Sequence, residues 1–340
     1  MFWVVVTFAI VGTFFVFYYG KRMWDSMQEE EYQKNGKKYS GSVVVITGAS
    51  SGIGEALAYE FSRKSARLVL CARRGDLLEK VAASCRAFGA QEVLSVPLDL
   101  SELASNRQLI DITIEKFNRL DCLILNAGVS MTAFVMEVED PDLFGKLMRL
   151  NYLGPAEMIR VALPHLIACS GQIVGMSSVS GLLPTPLRSG YAASKAAFNA
   201  FCDALRSEIS FMGVAVTMIY PGFVATEIRS KALTGSGTVV AVAGGTSPYA
   251  EDRIATPLVP AVQQMIRAIA LRERSVIIGG IKYSIGAALR GLIPSIIDTL
   301  TTRTMMQSLA SSKPVPSPTR TGGSTSTNTN TPVDKSKKLN

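Results

Sequence analysis

The stretch Ser42-Val-Val-Val-Ile-Thr-Gly-Ala-Ser-Ser-Gly-Ile-Gly54 decides the fold. Ser42–Thr47 is a β-branched run without polar alternation, which marks a strand buried on both faces. Gly48, Gly52 and Gly54 follow with the spacing G-x-x-x-G-x-G, and a helical stretch runs from Glu55 to Lys64. The first glycine permits a tight turn. The others let the backbone approach a diphosphate and the helix pack closely, with the helix N-terminus facing the negative charge.

Outward from this unit the strand–helix alternation repeats. Further strands are predicted at ARLVLCARR ending near Arg73, Glu92–Leu98, LDCLILNAG, QIVGMSS, VAVTMIY and SVIIGG at 275–280, separated by helical patterns such as Tyr191–Ile209. The implied fold class is α/β, a Rossmann-type doubly wound parallel sheet of about seven strands with right-handed crossovers. In such a sheet the ligand lies beyond the carboxyl ends of the strands.

The end of the second strand bears on which dinucleotide fits. An NAD site usually places an acid there for the ribose diol. Here the sequence reads Cys71-Ala72-Arg73-Arg74, with no acid before Asp76. Two guanidinium groups suit a 2′-phosphate, so NADP(H) is expected in preference to NAD(H), with Arg73 nearer the strand and favoured.

Tyr191 and Lys195 are four residues apart in YAASK, one turn apart on one helix face. A phenol titrates near pH 10 and is a poor acid–base catalyst at neutral pH; a neighbouring ammonium stabilises its phenolate. Ser178, read as the end of the fifth strand, offers a hydroxyl to a substrate carbonyl.

TGASSGIG at 47–54, Asn126-Ala127-Gly128, Asn151 in LNYLG, Ser178 in GMSSVSG, YAASK at 191–195, and Pro221-Gly222 followed by Thr226 occur in order. Over about residues 42–285 the chain therefore resembles the short-chain dehydrogenase/reductase superfamily. The apolar N-terminus, the CARR pair and the stretches NYLGP and RSGYAASK resemble most the membrane-anchored dehydrogenase/reductase member 7 and 7B group, with 11β-hydroxysteroid dehydrogenases as more distant relatives.

The resemblance implies an oxidoreductase acting on CH–OH groups. Tyr191 would be the proton donor or base, Lys195 would hold the nicotinamide ribose and tune Tyr191, Ser178 would orient the substrate oxygen, and Asn151 would hold a water linking Lys195 to solvent. Gly48, Ser50, Ser51, Gly52, Ile53 and Gly54 would line the diphosphate turn. Asp99 would touch the adenine, Asn126 the adenosine ribose side and Thr226 the nicotinamide amide, with Ala127, Gly128, Pro221 and Gly222 also binding the cofactor. NADP-binding members often carry a basic residue in the glycine turn; here that place is Ser51. The implied substrate is a lipophilic carbonyl or alcohol: steroid, retinoid, acyl- or alkyl-dihydroxyacetone phosphate, or long-chain ketone. The alternative is a membrane-anchored binding or scaffold protein of the same fold without turnover.

Other chemistries find little support. Cys71, Cys85, Cys122, Cys169 and Cys202 are dispersed, so neither a disulfide framework nor, with a single histidine, a zinc cluster is expected. That histidine, His165, is read as a partly buried helix residue, and no G-x-S-x-G elbow accompanies it. Met131, Met136 and Met148 flank the site region as pocket lining or core filler.

Of the net charge of +8, residues 311–340 supply +4, and no basic stripe with aromatics suggests nucleic acid. Expected partners are a lipophilic small molecule, the membrane and a second copy of the chain as a homodimer.

The ends lie outside this pattern. Residues 1–20 form an uncharged apolar run, about 30 Å long as a helix, and are read as a transmembrane anchor rather than a cleaved signal. Residues 21–40 form a linker, 41–310 the catalytic domain, and 311–340 a disordered polar tail. Lys21, Arg22, Lys34, Lys37 and Lys38 follow the apolar run and no Lys or Arg precedes it, which places the body in the cytosol. Lys337 and Lys338 resemble a dilysine signal, so the endoplasmic reticulum membrane is expected, with the peroxisomal membrane and a lumenal body as alternatives. The apolar stretch Ile277–Ile297 carries Lys282, Arg290 and Pro294, and is expected to press on the bilayer rather than cross it. Phe223–Pro260 is read as a substrate lid.

Overall fold

The computed structural model describes residues 39–228, 230–239 and 255–311, together with Met27 and Glu30. The expected anchor at 1–20, nearly all of the linker, part of the lid and the tail beyond Ser311 lie outside the described residues.

Seven strands form one sheet: β1 (Val43–Thr47), β2 (Arg67–Ala72), β3 (Glu92–Pro97), β4 (Cys122–Leu125), β5 (Gln172–Met176), β6 (Ala215–Pro221) and β7 (Ser275–Ile278). Their order is β3-β2-β1-β4-β5-β6-β7, and every pairing is parallel. The order reverses direction between β1 and β4, which opens a crevice at their carboxyl ends.

The helices are α1 (Gly52–Arg63), α2 (Gly75–Ala87), α3 (Leu103–Phe117), α4 (Leu143–Met148), α5 (Gly154–Ala168), α6 (Ser189–Glu208), α7 (Leu258–Ala270), α8 (Ile281–Arg290) and α9 (Pro294–Ser311). Two cores flank the sheet. Val43 and Val45 point into one, with Leu109, Ile159 and Phe198 from α3, α5 and α6. Val44 and Ile46 point into the other, with Leu57, Leu78 and Ile266 from α1, α2 and α7. The unbroken apolar run of β1 is thus a strand covered on both sides.

Three strands stop two or three residues earlier than the sequence suggests, β7 at Ile278 because Gly279 and Gly280 take φ of +119° and +99°. β4 ends at Leu125 because Asn126 turns its amide onto the Thr47 and Gly48 carbonyls, at 2.9 and 3.2 Å. β5 ends at Met176, and Ser178 caps a short 3-10 turn, its Oγ accepting the Ser180 N–H at 3.1 Å. At the ends of β4 and β5 local side-chain bonds compete with the sheet ladder.

The apolar stretch 277–297 divides between β7, α8 and the start of α9. Among the described residues no helix is long and apolar enough to cross a membrane. Ile281 and Leu292 are 76% and 78% exposed, and Ile285, Ile296 and Leu300 are exposed beside them. The single histidine, His165, lies half-buried in α5.

Candidate active site

The glycine-rich turn is built by close approach. Gly48 sits at φ +66°, and a Cβ there would come within 2.9 Å of the Ala127 Cα. A Cβ on Gly54 would run into the Gly48 carbonyl oxygen and the Asn126 side chain. The turn is clamped from below by Thr47, whose Oγ1 accepts the N–H groups of Asn126 and Ala127, each at 2.9 Å. A backbone-walled cradle free of side-chain bulk fits a dinucleotide diphosphate above the α1 N-terminus. Gly48, Ser50, Ser51, Gly52, Ile53 and Gly54 would hold it, with Thr226 packed over Gly52.

At the end of β2 the two arginines differ. Arg74 Nη2 lies 3.2 Å from both the Ser50 and Ser51 hydroxyls, so the basic group that the turn itself lacks arrives from the next strand. Arg73 leans instead toward Asp99, at 3.8 Å, with both side chains largely exposed. Arg74, rather than the Arg73 that its place nearer the strand favours, touches the turn. Asp99 also accepts from Ser101 N–H and Oγ at 3.0 and 2.8 Å.

The catalytic candidates converge on a cleft beyond the ends of β4, β5 and β6. Asn126, Gly128, Ser178, Tyr191, Lys195, Pro221, Gly222 and Thr226 all line it. Ser177 turns inward to Asn199 Oδ1 at 2.5 Å, which leaves Ser178 as the serine hydroxyl beside Tyr191. Burial pushes the Tyr191 phenol up, against the opposing effects of a hydrogen bond with Ser178 and the positive charge of Arg188. Burial likewise drives the Lys195 ammonium down to about 8, and its Nζ donates to the Met176 carbonyl at 2.8 Å. The sequence leads one to expect the Lys195 ammonium to lower the phenol; instead burial raises it, and Ser178 and Arg188 are the groups that oppose that rise.

Asn151 is buried in a π-helical turn, Arg149–Leu153, between α4 and α5. The Gly154 N–H bonds to the Arg149 carbonyl, five residues back. Pro155 has no N–H to give the Asn151 carbonyl one turn earlier, a local reason for the ladder to widen. The Asn151 side chain accepts the Val129 N–H and donates to the Val129 carbonyl, each at 2.9 Å, and donates to Ser194 Oγ at 3.0 Å. Both Asn151 Oδ1 and Lys195 Nζ lie beside Gly128, within 3.0 and 3.4 Å of where its Cβ would be.

A matching family model places these features. The short chain dehydrogenase model matches residues 42–236, more than half of the chain. The chain belongs to the short-chain dehydrogenase/reductase family. It is 36% identical over 275 residues to a "Dehydrogenase/reductase SDR family protein 7-like" of Anopheles gambiae, covering 78% of this chain and 83% of that one. It is 42% identical over 198 residues to "11-beta-hydroxysteroid dehydrogenase A" of Sesamum indicum, covering 58% and 57%. Among solved structures, a short chain dehydrogenase/reductase from Burkholderia phymatum in complex with NAD matches with a TM-score of 0.62 at 26% identity, over 76% of this chain and 95% of that one. A metagenomic short-chain oxidoreductase in complex with NADP matches with a TM-score of 0.55 at 26% identity, over 71% and 96%. This short-chain dehydrogenase/reductase is thus an oxidoreductase of alcohol and carbonyl groups that uses a nicotinamide cofactor.

The sequence reading gave no separate role to several residues of the site, Thr47 and Arg188 among them, and placed Phe223 only at the start of the lid. Thr47 clamps the turn, Phe223 walls the cleft, and Arg188 stands one turn before Tyr191. For Arg188 the signal was present: it lies three residues before Tyr191, a spacing that shares a helix face.

Proposed function

We propose that the protein is an NADP(H)-dependent oxidoreductase that interconverts a carbonyl and an alcohol on a lipophilic substrate at the endoplasmic reticulum membrane. The observation that carries this is the pairing of the Tyr191 and Ser178 hydroxyls beside a buried Lys195. A bound nicotinamide dinucleotide supplies or accepts the hydride. In reduction, Tyr191 gives its proton to the carbonyl oxygen while Ser178 hydrogen-bonds that oxygen. The charge on Lys195 favours the phenolate left behind. A phenol held above its usual value by burial is protonated at neutral pH, as a proton donor must be.

The choice of NADP(H) rests on Arg74 over the glycine turn and Arg73 beside it. The lipophilic substrate is supported by Met176, Phe223, Val224 and Ile228 in the cleft wall. The membrane is supported by the neighbourhood of that wall. Tyr283 of α8 packs on Phe223, ring centroids 6.2 Å apart, so the exposed Ile281 and Ile285 lie on an element bordering the cleft.

Incubating the protein with deuterated NADPH and a panel of lipid ketones tests the reading. Deuterium should appear on the carbinol carbon of at least one product. Tyr191→Phe should lose about three or more decades of turnover, since acid–base groups alone supply about 10²–10⁴-fold. Near-normal turnover by that variant would sink the assignment.

A further inference from the structure

The cleft holds a second cation for which the carbonyl chemistry has no direct use. Arg188 lines it beside Ser178, Tyr191 and Phe223. Its guanidinium lies 5.6 Å from the centroid of the Phe223 ring, and its charge acts on the Tyr191 phenol. Among the described residues no carboxylate comes within ion-pair distance of it. No Asp or Glu among the described residues lines the cleft, whereas Arg188 and Lys195 both do. Lys195 is engaged with the Met176 carbonyl. Arg188 is the cation left facing the substrate space.

Its position is not explained by local helix stability. Arg188 stands at the N-cap of α6 and makes no side-chain cap bond. A positive charge there opposes the helix dipole. The preceding Leu187 has φ +68°, a left-handed conformation that residues with a Cβ seldom adopt. Two bonds to the segment after β4 hold this bend: the Ala133 N–H donates to the Leu187 carbonyl at 3.1 Å, and the Gly190 N–H meets Met131 Sδ at 3.2 Å. Strained backbone, an unfavourable helix position and a cleft without acids coincide on one guanidinium.

We infer that Arg188 is a specificity-determining residue that binds an anionic group, a phosphate monoester or a carboxylate, on the carbonyl substrate. The preferred substrate is then an amphiphile whose negative group lies near the reacting carbonyl and whose apolar part rests on Phe223, Val224 and Ile228. This rests on the carbonyl reading of the same cleft. The planar guanidinium offers paired donors that match either anion, and Phe223 limits its rotation.

The test is calorimetric titration of the full-length protein, saturated with NADP⁺, with hexyl phosphate, hexanoate and hexanol. Wild type should bind at least one anion about 10- to 100-fold more tightly than hexanol, the range for a charge-assisted hydrogen bond. The stronger of the two anions identifies the group. Arg188→Gln should bring that ratio to within about twofold, and Arg188→Lys should keep part of it. Equal binding of all three ligands by wild type overturns the proposal, as does an unchanged ratio in Arg188→Gln. It is overturned too if Arg188→Gln weakens NADPH binding as much as it weakens the anion, because Arg188 would then serve the cofactor. Failure of deuterium transfer to every ketone would refute the carbonyl reading instead, and the calorimetry does not depend on turnover.

Discussion

At the residue scale, charge and desolvation govern both ends of the site. Lys195 is buried and held at about 8, and it donates to the Met176 carbonyl. Its ammonium is present at neutral pH and lost as pH rises through about 8, so its support for the Tyr191 phenolate fades in that window. Carbonyl reduction should therefore hold its kcat/KM at neutral pH and decline above about 8. A guanidinium in place of the ammonium keeps its charge through this window. Lys195→Arg should therefore move the alkaline limb upward by roughly one pH unit or more, whatever it does to the plateau. An unmoved limb would assign that limb to another group. At the cofactor end, Arg73→Ala with Arg74→Ala should weaken NADPH about tenfold or more and leave NADH nearly unchanged, read by fluorescence titration. Arg74→Ala alone should carry the larger share, because Arg73 is partly neutralised by Asp99. A wild-type preference for NADH would remove the basis for this. The catalytic side chains were legible because their chemistry needs a fixed spacing: Tyr191 and Lys195 must share one helix face. Arg188 carried one signal, its place three residues before Tyr191, but an arginine at the start of a helix ordinarily reads as a solvated charge.

At the scale of elements, what was legible followed from burial. β1 and β2 are continuous apolar runs and were placed to within about a residue, as buried parallel strands must be. The ends of β4 and β5 were not, since Asn126 and Ser178 are polar residues that leave the ladder for side-chain bonds no hydrophobic pattern records. The π turn around Asn151 left only Pro155 as its trace. The close packing of α1 on the glycine turn makes a sharp prediction. A methyl group at residue 54 meets the Gly48 carbonyl and Asn126 rather than open space, so the backbone must move. Gly54→Ala should lower stability by about 1–3 kcal/mol, the usual cost of overpacking. It should weaken NADPH and NADH alike, because the distorted part is the diphosphate cradle. Thermal melting with and without each cofactor measures both. Selective loss of NADPH would mean that the variant acts through the arginines and not through the turn.

At the scale of the whole molecule, the order of the seven strands was not readable from the sequence, but the alternation of strands and helices restricted it to a parallel sheet with crossovers. The relation of the body to a membrane is a proposal argued from charge and surface. Lys21, Arg22, Lys34, Lys37 and Lys38 cluster after the apolar run 1–20, which supports the proposed cytosolic body. The Cys residues at 71, 85, 122, 169 and 202 are all free, as reduced thiols are in that compartment. Ile281, Ile285, Leu292, Ile296 and Leu300 expose apolar side chains along α8, α9 and the turn between them, and α8 adjoins the cleft through Tyr283. Such a surface would rest on the headgroup–acyl boundary and open the cleft toward it, so that an amphiphile passes from the leaflet to Tyr191 without crossing water. Two outcomes follow. Replacing Ile281, Ile285 and Leu292 together with Ser should raise KM for a membrane-dissolved ketone about tenfold, with less effect on a short water-soluble one. Protease added to sealed microsomes should digest the body without detergent. A body protected until detergent is added would put it in the lumen, and the dilysine reading of Lys337 and Lys338 would fall with the cytosolic one, because that signal is read only from the cytosol.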